Sequence, residues 1–146
     1  MLNLSHAVIG ASIAASFPNP TIGLVLAYLS HHLADLIPHW DFNTRHNGFS
    51  KIKTLAISLV DAFEGLLLGW LLFKDRVDPG YLLAAMLMAQ GPDWLEGPYR
   101  IFGWHFPPFS WIKKLQSFFH RKLDLPWGLL TQIGVVLLIA LASRSG

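Results

Sequence analysis

The stretch LAISLVDAFEGLLLGWLLF, residues 55–73, decides how the chain is read. It is 19 residues long, which as an α-helix is about one bilayer crossing. Its only charges are Asp61 and Glu64, and it is apolar nearly all round rather than along one stripe. Residues 128–142 repeat the pattern over a shorter span with no charge at all. Around these two runs the composition agrees. Hydrophobic residues make up 53% and charged residues 14% of the 146, against about 25% charged in ordinary soluble domains. Mean hydropathy is +0.43. A disordered chain, a coiled coil and a typical water-facing enzyme surface are excluded. The length suits one domain, residues 1–146.

Pro and Gly divide the rest. Residues 4–17 form a helix rich in small residues, with Ala7, Ala11 and Ala15 every fourth position. That spacing allows close helix approach in lipid. Pro18 and Pro20 separate it from an apolar helix over residues 22–37, stopped by Pro38. Ser50 is a fitting N-cap for the long helix ending at Phe73. A fourth helix covers residues 81–89 and breaks near Gly91-Pro92. An aromatic, Pro-rich connection over residues 97–109 comes next. Residues 110–122 read as an amphipathic helix with Trp111, Leu115, Phe118 and Phe119 on its apolar side, and residues 127–142 as the last apolar helix. The expected fold is therefore all-α: a membrane-embedded helical bundle of about five apolar helices plus one amphipathic helix at the interface. The N-terminus lacks a basic leader and carries His6, so it reads as part of the mature protein rather than a signal peptide.

An up-and-down path puts Arg45, Lys51, Lys53, Arg100, Lys113, Lys114, Arg121 and Lys122 on the starting side, and Lys74, Arg76 and Arg144 on the far side. The positive-inside rule then makes the starting side cytoplasmic. With a net charge of only +2, no nucleic-acid partner is expected. Membrane lipid is the expected partner.

The costly polar groups fall at matching depths. His6 lies 13 residues before Asn19, with His31 and His32 at 12 and 13 after it and Asp35 at 16. Asp61 and Asp93 lie 16 residues on either side of Val77. At about 1.5 Å per residue, four helices bring imidazole or carboxylate toward one end of the bundle. Such groups inside apolar helices need a partner, a cavity or a metal. His31 and Asp35, at i and i+4, can converge on one ion, with His32 as the competing ligand. Asp61 and Glu64, at i and i+3, repel unless a cation or shared proton intervenes.

Plainer readings exist for each. His31 with Asp35 suits a buried hydrogen bond, and Asp93 a helix cap, with Glu96 a first-turn acid behind it. His39, Asp41, His46 and His105 suit loops, and His120 in FFHRK suits a membrane interface. Taken together, the groups at one depth point to a shared metal site of His6, His31, Asp35, His39, Asp61 and Asp93. The chain has no Cys, so disulfides, iron–sulfur clusters and thiolate zinc sites are excluded. A His and carboxylate set suits zinc first, or manganese or iron, and disfavours copper(I). More than four candidates suggests two ions, with Asp35 as the bridge and Glu64 or Asp61 as general base.

At SHHLADLIPHWD, residues 30–41, the chain resembles the LexA-regulated family of bacterial inner-membrane metal-dependent hydrolases. That family is similar in turn to the zinc-dependent phospholipase C and single-strand nuclease superfamily. Those soluble enzymes are all-helical, with H-x-x-x-D followed by Pro and His at a metal site. His31, Asp35, Pro38 and His39 match that motif, His6 matches an early His, and Pro92-Asp93 matches a Pro-Asp pair of the membrane family. His39 follows Asp35 more closely than in the soluble enzymes. The loop RHNGFS, residues 45–50, lacks the second His of the membrane family's loop. The resemblance covers about a quarter of the chain, mainly its first 41 residues. It implies hydrolysis of an anionic phosphoester, lipid-derived ones included. The other class open to the sequence is a non-catalytic membrane protein that binds or moves a metal ion or proton. Residues 66–73 and 81–88 offer no polar path for one.

Overall fold

The computed structural model describes residues 1–42 and 48–145. It is all-helical among those residues. α1 is Asn3–Ser16, α2 Pro20–Asp35, α3 Lys51–Phe73, α4 Pro79–Gly97, α5 Phe109–Phe119 and α6 Trp127–Ser145, with a π-helical segment Pro98–Phe102 after α4. The starts follow from side-chain caps. Asn19 accepts from the Thr21 and Ile22 N–H groups, Ser50 from Lys53, and Asp78 from Tyr81. Pro20 and Pro79 stand in the first turn, where a missing N–H costs nothing.

α1 is the central helix and packs against α2, α3, α4 and α6. Ala7 and Ala11 are fully buried, so their small size is used at the crossings as expected. Backbones approach closely at two glycines. A Cβ on Gly10 would lie 2.6 Å from the Ala85 carbonyl oxygen, and one on Gly65 would lie 2.5 Å from Leu4 Cα. Gly10 thus seats α1 on α4, and Gly65 seats α3 on the first turn of α1.

Two helices, α3 and α6, are long and apolar enough to cross a membrane. In each the apolar window is only 22% buried, unlike the core helix of a soluble fold. Leu59, Phe63, Leu67 and Leu71 of α3 all face outward. α5 is inverted relative to a soluble amphipathic helix. Trp111, Leu115 and Phe118 are exposed while Gln116 is buried.

The fourth helix corrects an expectation. It does not break at Gly91-Pro92 but runs on to Gly97 with Pro92 inside and fully buried. Pro removes one backbone bond, which apolar helices tolerate when neighbours enclose them; here α4 lies against both α1 and α2. Asp93 is consequently a mid-helix side chain, not a cap, and Glu96 lies in the last turn rather than the first.

Candidate metal centre

Asp35 is the last residue of α2, and the chain beyond it is tied back by a short parallel bridge. The Arg121 N–H donates to the Asp35 carbonyl at 3.0 Å, and the His39 N–H to the Arg121 carbonyl at 3.0 Å. The Leu123 N–H donates to the His39 carbonyl at 2.7 Å. This pairing, His39 opposite Lys122, brings His120 beside His39 although 81 positions separate them. His6 comes from α1, His31 from α2 and Asp93 from α4.

Two groups of three have the spacing of a metal site. One is His6, His31 and Asp93; the other is Asp35, His39 and His120; in each, one ligand atom per residue lies within 4.8 Å of the others. Asp35 sits between the groups. Its Oδ1 is 3.4 Å from His6 Nε2 and 3.7 Å from His39 Nε2. Its Oδ2 is 3.8 Å from both His31 Nε2 and His120 Nδ1. His31 Nε2 is also 3.8 Å from Asp93 Oδ1. Ligands held at about 2 Å around a tetrahedral ion lie roughly 3.3 Å apart, so these gaps are close to the size of an ion.

The protonation pattern argues the same way. His31 Nδ1 donates to the Ala89 carbonyl at 2.9 Å, and His39 Nδ1 to the Ile37 carbonyl at 2.8 Å. A neutral ring with its proton on Nδ1 presents a lone pair at Nε2. His31 Nε2 faces two carboxylates and has no hydrogen-bond partner. Burial and the nearby N-terminal ammonium push His39 down to about 4, which keeps it neutral and ligand-competent at physiological pH. His6 is 1% exposed, lies stacked on His31 at 3.9 Å, and has no hydrogen-bond partner at either nitrogen. A buried polar atom without a partner costs about 1–3 kcal/mol. A cation among these groups would remove that cost. The Met1 ammonium, bonded to Asp35 Oδ1, is one positive charge already drawn there, but it leaves the His6 and His31 nitrogens unsatisfied.

The expected ligands His6, His31, Asp35, His39 and Asp93 thus come together. The choice between neighbouring imidazoles falls to His31, since His32 packs its ring against Tyr28 and Phe119. Asp61 does not join either group. Its carboxylate accepts from the Asn3 N–H at 2.7 Å and from the Leu4 N–H at 3.2 Å. It caps α1 from another helix, where Leu2 offers no capping side chain. Glu64 is exposed on α3 and belongs to neither group. His46 lies outside the described residues. Sequence spacing missed His120, because only the bridge at His39 shows where it goes. It also missed Asp41, whose Oδ2 is 3.4 Å from His120 Nε2. Glu96 is buried and held by Arg100 Nε and by Lys113 Nζ, the latter at 3.1 Å.

A cavity of about 140 Å³ adjoins the cluster, and Asp35, Asp61, Asp93, Arg100 and His120 are among the residues that line it. No family model matches the chain, and no curated protein or solved structure matches it.

Proposed function

We propose that the chain is a membrane-embedded metal-dependent hydrolase of phosphoesters. The observation that carries this reading is the set of buried imidazole nitrogens, at His6 and His31, aimed at the carboxylates of Asp35 and Asp93 without hydrogen-bond partners. Each of the two groups could hold an ion, and Asp35, a member of the second, also stands 3.4 Å from His6 and 3.8 Å from His31 of the first. Neutral nitrogen and carboxylate donors favour zinc, then manganese or iron. Ions there would activate water and stabilise negative charge on a phosphoryl oxygen. The chain's own contribution is to hold the donors. Ala89 and Ile37 carbonyls fix the His31 and His39 rings, and the cavity admits substrate beside them. The outward apolar faces of α3 and α6 support a bilayer around the bundle, and the basic residues on the site side support a cytoplasmic opening.

The test is metal analysis of the purified chain, wild type against His31→Ala, followed by turnover of a soluble phosphodiester with added zinc or manganese. Wild type is expected to carry up to two ions and to turn over the ester only when loaded. Protein without bound metal, or metal unchanged in the variant, overturns the reading. Bound metal without turnover favours the metal-carrier alternative.

A further inference from the structure

Next to the metal cavity lies a second hollow, of about 290 Å³, whose charge is opposite. Asp35, Asp41, Asp61, Asp93 and Glu96 all line the metal cavity. Lys51, Arg100 and His105 line the second, with no acid among the described residues that do so. Thr54, Arg100 and Ile101 line both, so the two adjoin. Lys51 is the first residue of α3, Arg100 lies in the π segment and His105 in the connection after it. Lys53 brings a further positive charge. Its Nζ lies 3.9 Å from the centre of the Phe49 ring, and Phe49 lines the hollow. Arg100 Nε donates to buried Glu96, and the two terminal guanidinium nitrogens make no hydrogen bond among the described residues. Lys51 and His105 make neither an ion pair nor a side-chain hydrogen bond among the described residues. His105 has only its ring contact with Tyr99, at 4.5 Å between centroids.

We infer that this second hollow is a phosphate-binding site, one that takes the phosphoryl group of a free ion or of a lipid headgroup. Positive groups gathered round a concavity without a counter-charge draw an anion there. The donor set selects the class of anion. The Arg100 fork suits two oxygens of a single group. Lys51 and His105 come from other parts of the chain and call for further oxygens, which a tetrahedral phosphate has and a planar carboxylate lacks. The space suffices as well. A water needs about 10–15 Å³ of it, so about 290 Å³ admits a phosphate with water around it. The metal cavity, with its carboxylates, repels a phosphate until cations offset them. The second hollow has no such need. It therefore binds phosphate without metal and without hydrolysis, and it goes beyond the hydrolase reading rather than resting on it.

The test is calorimetric titration of inorganic phosphate into chelator-treated, metal-free protein in detergent. Saturable binding is expected. Lys51→Gln and Arg100→Gln should each weaken it by about tenfold, the value of one charge-assisted hydrogen bond. Arg100→Gln also strips a partner from buried Glu96. Lys51 has no such partner, so its variant keeps the test decisive if Arg100→Gln fails to fold. Lys74→Gln, at the other end of α3, should leave binding unchanged. The source of the phosphate is read in nanodiscs of phosphatidylcholine and phosphatidic acid, with native mass spectrometry of the lipid that the protein retains. Phosphatidic acid kept in preference by wild type and lost from Lys51→Gln supports the site with a headgroup in it. Inorganic phosphate bound without that preference supports the site with a free ion in it. No binding in either arm, Lys51→Gln equal to wild type, or an equal loss in Lys74→Gln overturns the site. Binding that appears only after zinc is added overturns it too, since the phosphate then sits at the metal centre and the hydrolase reading stands. A chain that never carries metal, yet binds phosphate through Lys51, removes the hydrolase and keeps this site.

Discussion

The two ligand groups share Asp35 but are held by different means. His6, His31 and Asp93 project from three helices whose spacing is set by small residues, Gly10 against Ala85 and Ala89 among them. His39 and His120 sit in connections, and three main-chain hydrogen bonds between residues 35–39 and 121–123 hold them together. The first group is as rigid as the helix packing. The second is only as rigid as a short bridge. Ligands on helices hold geometry better than ligands on loops, so the first group should be the tighter site and the second the one that yields to perturbation.

Asp35→Ala tests the shared element and carries the largest effect. It removes the carboxylate that both groups face, so bound metal should fall to background at both positions. Elemental analysis of the purified variant reads this directly. Retention of one full equivalent would show that Asp35 serves a single ion.

Single ligands should separate the groups. His31→Ala should lose the first ion and keep the second, and His120→Ala the converse, so each variant retains about half the wild-type metal. The bridge can be attacked without touching a ligand. Leu123→Pro deletes the N–H that donates to the His39 carbonyl at 2.7 Å. It should weaken the second site by about 10–100-fold, as loss of an orienting contact does, and leave the first unchanged. Zinc titration with a competing chelator distinguishes the two sites. Equal weakening of both would mean that the bridge supports the whole cluster.

The same contrast explains what the sequence showed. Helical rise converts distance along the chain into depth, so His6, His31, Asp35 and Asp93 were legible from counting outward from two turns. The helix cap at Ser50 was equally plain, because it is a local side-chain-to-backbone bond. His120 was not legible. Its place depends on a backbone pairing across 81 positions, and FFHRK carries no local sign of it. Pro92 misled for the opposite reason. Its local tendency to end a helix was overridden by enclosure between α1 and α2, and Asp93 took a different role as a result. Asp61 stood at the right depth but met two backbone N–H groups first.

Gly65→Ala probes the packing under the first group. The added Cβ would meet Leu4 Cα at 2.5 Å, a backbone atom that cannot turn aside. The start of α1 must shift, at about 1–3 kcal/mol for such overpacking. The shift should lower the melting temperature in detergent and loosen His6, one turn at most from Leu4, more than His39. Metal lost from the second site first would contradict the assignment of rigidity to helix packing.

The smallest effects separate a capping carboxylate from a catalytic one. Asp61→Asn keeps one accepting oxygen for the Asn3 and Leu4 N–H groups, so it should cost about 1 kcal/mol or less of stability, as partial loss of a cap does. Bound metal should be unchanged, since neither ligand group includes Asp61. Glu64→Gln removes a charge from an exposed position of the apolar helix α3, so it should not lower stability. The two variants read together are decisive because the residues stand one turn apart on the same helix. A general base at either position predicts loss of turnover with metal retained. A cap at Asp61 and a surface acid at Glu64 predict a small loss of stability from the first, none from the second, and no change in turnover beyond the loss of folded protein.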